Sequence, residues 1–174
     1  MGFYLFTNNQ DVYLILYSLS KNIGKMALLM FLSTLLPGIF QRFKVLPLFS
    51  ASIVLFRRQM GILMFILGMT HSMYISTIPA IMTNSLGIEN LPKNGLTGII
   101  TLLVLLPVWL TSNDISQKTF GKFWKTIQRL TYFAMISIFL HVALVEKSVA
   151  LITITVLLLE LTSWLKSWLV KSKK

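Results

Sequence analysis

Long apolar runs alternate with short polar connections along this chain, and the runs are too long for strands. A membrane-spanning helix needs about 20 mainly apolar residues, within a range near 17–25. Five stretches meet or approach that length: 22–40, 59–82, 96–111, 127–145 and 148–169. Pro37 and Gly38 mark the expected end of the first, and Pro107 lies near the end of the third. The segment DVYLILYSLS, 11–20, is too short to span alone and is expected either to lie at the interface or to extend the first helix. The pattern predicts an all-α integral membrane protein: a bundle of about five transmembrane helices, or six counting the N-terminal segment. We read one transmembrane domain over 1–174, with an interfacial segment 1–21, a helical bundle 22–170 and a basic tail 171–174.

Composition strengthens this reading. Hydrophobic residues make up 55% of the chain and charged residues only 12%, with a mean hydropathy of +0.76; a soluble protein carries about 25% charged residues. The net charge of +11 would suit nucleic acid, but the basic residues cluster between apolar runs, as in membrane-flanking loops, and no nucleic-acid partner is expected. The lipid membrane is the expected surrounding, specifically a bacterial inner membrane. With no cysteine, disulfides and thiolate metal sites are excluded. The N-terminus MGFYLFTNNQD has neither a basic n-region nor a cleavage site, so no removable signal is expected, and Thr7 falls one position late for myristoylation.

Charge placement orients the bundle. Arg42, Lys44, Arg57 and Arg58 fall between the first and second runs; Lys118, Lys122, Lys125 and Arg129 fall around the third connection; Lys166, Lys171, Lys173 and Lys174 end the chain. These face the cytoplasm. The connections with few basic residues, around Glu89 and Lys93 and around Glu146 and Lys147, face outward with the N-terminus. Lys21 and Lys25 run against this assignment and are outvoted.

Both histidines of the chain, His71 and His141, fall inside apolar runs. Ionisable residues at such depth face the bundle interior and mark function by default, although each could simply hydrogen-bond a neighbouring helix. Their heights add information. His71 lies thirteen residues beyond Arg58, and His141 twelve beyond Arg129. At ~1.5 Å per residue these are rises of roughly 20 and 18 Å on two parallel helices. Two imidazoles at one level in the outer half of the bilayer can supply both axial ligands of a b-type haem. Gly68 and Met64, with Gly61 below, share the face of His71; Ser137 and Ala134 share that of His141. Such small residues leave room for a macrocycle, and they also permit close helix packing. Zinc fits less well, because it wants three or four ligands and no Asp, Glu or Cys stands at this depth; Glu160 is expected nearer the cytoplasmic end.

Three segments carry a family resemblance. FRRQMGILMFILGMTH, LPKNGLTGIITLLVLLPVWLTSND and FGKFWKTIQRLTYFAMISIFLH resemble, in order and spacing, the corresponding segments of the ferric reductase-like transmembrane family, over roughly residues 22–170. The nearest likeness is to its MsrQ branch, with STEAP reductases and NADPH oxidase membrane domains more distant. The resemblance implies a membrane cytochrome with one haem b, ligated by His71 and His141. It departs at Gln128, where the family's Leu-His-Arg-Leu reads Ile127-Gln128-Arg129-Leu130. A second bis-histidine haem at that inner level is excluded, since there is no third histidine.

The haem would then lie roughly 18–20 Å from the cytoplasmic connections by helix rise, and something should bridge that gap. Arg57, Arg58, Lys122, Trp124, Lys125, Gln128 and Arg129 mark the inner mouth. Arginines pair well with phosphate and Trp124 could stack on an isoalloxazine, so FMN, FAD or a quinone is a candidate there; the same residues also suit ordinary interfacial anchoring. No Gly-x-Gly-x-x-Gly motif opens a helix, so a separate reductase or membrane quinol must donate electrons. The outer acceptor would be a redox partner or a ferric substrate. No catalytic residue is assigned. Alternatives are a non-redox scaffold or transporter subunit derived from the family, and a metal permease using histidine and methionine. The nine methionines, however, suit adaptable packing.

Overall fold

The computed structural model describes residues 10–77 and 93–172, and every regular element among them is helical. The first helix, α1, runs unbroken over Gln10–Phe43. The segment 11–20 therefore extends the first span rather than forming a separate interfacial piece: no proline or glycine interrupts it before Gly24. Pro37 does not end the helix as expected. A proline forfeits one helical hydrogen bond, and a membrane interior offers the remaining backbone groups no better partner than the helix itself.

The next helix, α2, spans Pro47–Ser72 and continues into a π-helical turn, Met73–Thr77. Its start corrects the expectation of residue 59. Pro47 sits in the first turn, where its missing N–H is no loss. The connection shrinks to three residues, in which Lys44 and Leu46 take positive φ of 60° and 48°. Arg57 and Arg58 thus belong to a helix and not to a loop. The predicted end at residue 82 lies outside the described residues.

Lys93–Leu110 forms α3, and Asp114–Phe120 forms α4, bent 86° away from it. The Asn113 side chain accepts from the Ser116 N–H at 2.7 Å and starts α4 at the bend. Gly121, with φ 50°, turns the chain into α5, Lys122–Gln128, which leads through Arg129 into α6, Leu130–Val145. The last helix, α7, spans Lys147–Ser172. Among the described residues four stretches are long and apolar enough to cross a membrane: Tyr17–Phe43, Pro47–Ser76, Lys122–Val145 and Lys147–Ser172; the bent α3–α4 pair, taken as one span, would be a fifth. The chain is an all-α integral membrane protein.

The spans close into a ring: α1 against α2, α2 against α3, α3 against α6, α6 against α7 and α7 against α1. In consequence α2 and α6 face each other across the ring, sharing the core cluster but packing less closely than the neighbouring pairs. Below the histidine level, Phe31, Leu32 and Leu35 of α1 meet Met64 and Phe65 of α2, Leu105 of α3, and Ala134 and Met135 of α6. Lipid is as apolar as this core, so close packing and interhelical polar contacts hold the ring. Two ionic ties close it through α1. At the outer end Lys21 and Lys25 each reach Glu146 at 3.1 Å, which accounts for two lysines on the face otherwise poor in basic charge. Hydrogen bonds from Lys25 and Lys21 hold the Glu146 carboxyl down at about 2. At the inner end Arg42, in the last turn of α1, pairs with buried Glu160 of α7 and donates to Ser163 Oγ at 2.7 Å.

Candidate functional site

Across the gap between α2 and α6, the His71 and His141 rings stand with centroids 6.3 Å apart and planes at 82°. A metal–imidazole bond of about 2 Å, plus about 1.1 Å from nitrogen to ring centre on each side, puts two collinear ligands of one metal ion about 6.2 Å apart. The rings therefore have the separation that one shared ion requires. Among the described residues no cluster of three or more His, Cys, Asp or Glu could hold a metal, so a bare cation would lack further protein ligands here.

Neighbouring helices seat both rings. His71 Nδ1 lies 2.8 Å from the Ser20 carbonyl oxygen. A carbonyl can only accept, so Nδ1 carries the proton and the lone pair is on Nε2. The Ser20 hydroxyl donates to the His71 carbonyl at 3.0 Å, just where α2 loosens into its π-helical turn. His141 Nδ1 lies 3.3 Å from the Thr97 hydroxyl of α3. Metal-bound histidines ordinarily hold their second nitrogen this way. Each ring also lies on a glycine: a Cβ at Gly24 would come within 2.8 Å of His71 Nδ1, and one at Gly98 within 3.2 Å of His141 Cε1.

The four other residues expected near the rings lie along the α3 side or in the core. A Cβ at Gly68 would touch Leu102 of α3 at 3.4 Å. Ser137 shares a 2.7 Å hydrogen bond with Thr101 of α3. Met64 and Ala134 are buried in the core beneath the rings.

The inner level is built differently. A cavity of about 380 Å³ opens there, and Arg57, Arg58, Trp124, Gln128 and Arg129 all line it, with Lys125. Lys122, the remaining member of the expected group, is not among its walls. The upper wall is apolar: Met64, Leu105, and Phe65 stacked on Trp109 with centroids 4.8 Å apart. Gln128 donates to the Val108 carbonyl at 3.3 Å and to Thr111 Oγ1 at 3.1 Å, and Trp124 Nε1 donates to the Thr111 carbonyl at 2.9 Å. Arg58 is held by Asp114 of α4 at 2.5 Å. The seats Ser20, Gly24, Thr97 and Gly98, and the cavity aromatics Phe65, Trp109 and Tyr132, escaped the sequence reading. The i, i+4 spacing of Ser20 and Gly24 on the N-terminal extension was the one available signal.

A family profile described as "Ferric reductase like transmembrane component" matches residues 23–139. The chain belongs to this family. The matched region includes His71 and stops two residues before His141. Among curated relatives of this ferric reductase-like chain, the Agrobacterium fabrum protein-methionine-sulfoxide reductase heme-binding subunit MsrQ is 29% identical over 106 residues, 60% of this chain and 49% of the relative. The proteins of the same name from Salmonella paratyphi B and Salmonella newport are each 32% identical over 121 residues, 68% of this chain and 59% of the relative. The chain thus spans about half to three-fifths of the length of the curated relatives it matches. No solved structure matches it.

Proposed function

We propose that this chain is a membrane electron-transfer subunit that binds one haem b between His71 and His141. On this reading it carries electrons from a cytoplasmic-side donor to an acceptor at the outer face. The observation that carries the reading is the 6.3 Å separation of two imidazoles on facing helices. The donor set fits the group: His71 and His141, each with Nδ1 engaged by a neighbouring helix, are the imidazoles that would hold a haem. A bound haem supplies a one-electron ferric–ferrous couple. The chain's own part is to present both Nε2 atoms, to hold the rings still and to exclude water with the core beneath. Relatives are named as heme-binding subunits, which favours the same group.

The inner cavity is the natural relay level. Met64 in its upper wall lies seven residues below His71, roughly 10 Å by helix rise. An apolar roof and a rim of Arg57, Arg58, Lys125 and Arg129 suit a planar redox ring with a polar or phosphate end, so FMN, FAD or a quinone is proposed there. The donor is then a separate reductase or membrane quinol, and the outer acceptor a redox partner or ferric substrate.

The test is a reduced-minus-oxidised absorption spectrum of the purified protein, with haem counted per chain. One haem per chain is expected, lost in the His71→Ala, His141→Ala double variant. Haem loading that survives the double change would sink the ligand assignment, and a colourless protein with normal helix content would favour the scaffold reading.

A further inference from the structure

We infer that Ser20 and Gly24 of α1, with Thr97 and Gly98 of α3, are positioning residues that hold the two imidazoles near perpendicular. The inference rests on the haem reading and goes beyond it, because two histidines could bind a haem at any mutual angle.

The argument starts from what a histidine side chain is free to do. Placing His71 at the right height leaves the angle of its ring open, since the terminal torsion of histidine is broad. Two contacts remove that freedom. The Ser20 carbonyl fixes the Nδ1 edge at 2.8 Å. The Gly24 backbone, one helical turn further on, backs the ring so closely that a Cβ would lie 2.8 Å from Nδ1 and 2.9 Å from Cε1. Real side chains do not approach so closely, so only glycine admits the ring in this pose. Ser20 is fully buried, and its hydroxyl ties back to the His71 carbonyl, which locks α1 and α2 in register at the ligand. The second seat repeats the logic on another helix, more loosely: the Thr97 hydroxyl lies 3.3 Å from His141 Nδ1, and a Cβ at Gly98 would meet Cε1 at 3.2 Å and Nδ1 at 3.3 Å. The seats belong to different helices and set the ring planes independently, at 82°.

The ring angle has its own readout. In a low-spin ferric haem with two imidazoles, the largest g value of the electron paramagnetic resonance signal rises as the ring planes approach perpendicular. The wild-type protein is expected to show the large-g form. Gly24→Ala should convert it to the smaller-g form of more parallel rings or expel haem; Gly98→Ala should do the same to a smaller extent. Gly38→Ala, lower on α1 and set against the Arg42 guanidinium of the inner ionic tie, far from both rings, should change neither signal nor loading. A haem-loaded wild type with the small-g signal of parallel rings overturns the seats and leaves the haem reading standing. So does a Gly24→Ala protein with wild-type loading and signal, or a Gly38→Ala protein altered as much. A colourless wild type overturns the haem reading and this inference with it. The wild-type measurement needs no variant to fold.

Discussion

The two ends of the ring between α2 and α6 handle polarity in opposite ways. In the outer half, polar groups of the gap are engaged by the next helix: His71 by Ser20, His141 by Thr97, and Ser137 by Thr101. None of them is a carboxylate, a lysine or an arginine. In the inner half charged and long side chains line a cavity, and one amide, Gln128, is tied to the end of α3. A ligated group gains from fixed, preorganised partners. A site that admits and releases a ligand needs open space with a few oriented groups. The contrast assigns permanence to the outer level and exchange to the inner one.

The strongest challenge to this contrast goes through the inner ionic tie. Glu160 is 3% exposed and depends on Arg42, with help from Trp164 Nε1 at 3.0 Å. Arg42→Met should cost about 3–5 kcal/mol by stranding a buried carboxylate, read as thermal unfolding in detergent. Pairing it with Glu160→Leu should recover most of that loss. A small loss in the single variant would show that the inner half does not depend on this charge pair. Gln128→Leu comes next: two hydrogen bonds to the end of α3 are lost, at about 1–2 kcal/mol together. Ligand exchange at the cavity should change, while the outer haem signal should not; a shifted haem signal would erase the division into two levels. Thr101→Val should cost about 0.6–1 kcal/mol, the usual scale of a hydroxyl contact between membrane helices, with the absorption spectrum unchanged.

The smallest effect is expected at the outer surface. The Glu146 carboxyl is lowered from an ordinary 4.5 to about 2 by Lys25 and Lys21. A depressed acid stabilises the fold above its unfolded pKa and stops doing so as pH falls through its folded one. The tie should therefore be complete above about pH 4.5 and fade towards pH 2. Glu146→Gln should flatten that part of a melting-temperature profile, more visibly in low salt. An unchanged profile would mean that the outer tie adds nothing to the ring.

The sequence revealed most where one helix can be read alone. Run length gave the spans, and a fixed rise per residue turned two distances along the chain into one shared depth for His71 and His141. Gln128 stood out as a departure from the Leu-His-Arg-Leu of the family it resembles, and the cavity does gather it with Arg57, Arg58, Trp124 and Arg129. The start of α2 was misjudged because Arg57 and Arg58 look like loop residues, whereas Pro47 carried the true signal. The seats were illegible for a different reason. Ser20 and His71 are 51 residues apart, and Thr97 and His141 are 44 apart. Such contacts depend on how three helices approach one another, which no local period encodes.

One further consequence follows from the lengths of the helices. At ~1.5 Å per residue, the 34 residues of α1 and 26 of α7 reach about 51 and 39 Å. A hydrocarbon layer is about 30 Å thick, so both are long enough to cross it, whereas α3 ends at Leu110 in a bend. There the chain turns through 86° into α4, beside Ser112 and Trp124 of the cavity wall. The cavity wall is thus built partly from the end of one span and the bend that follows it, not from straight helices alone.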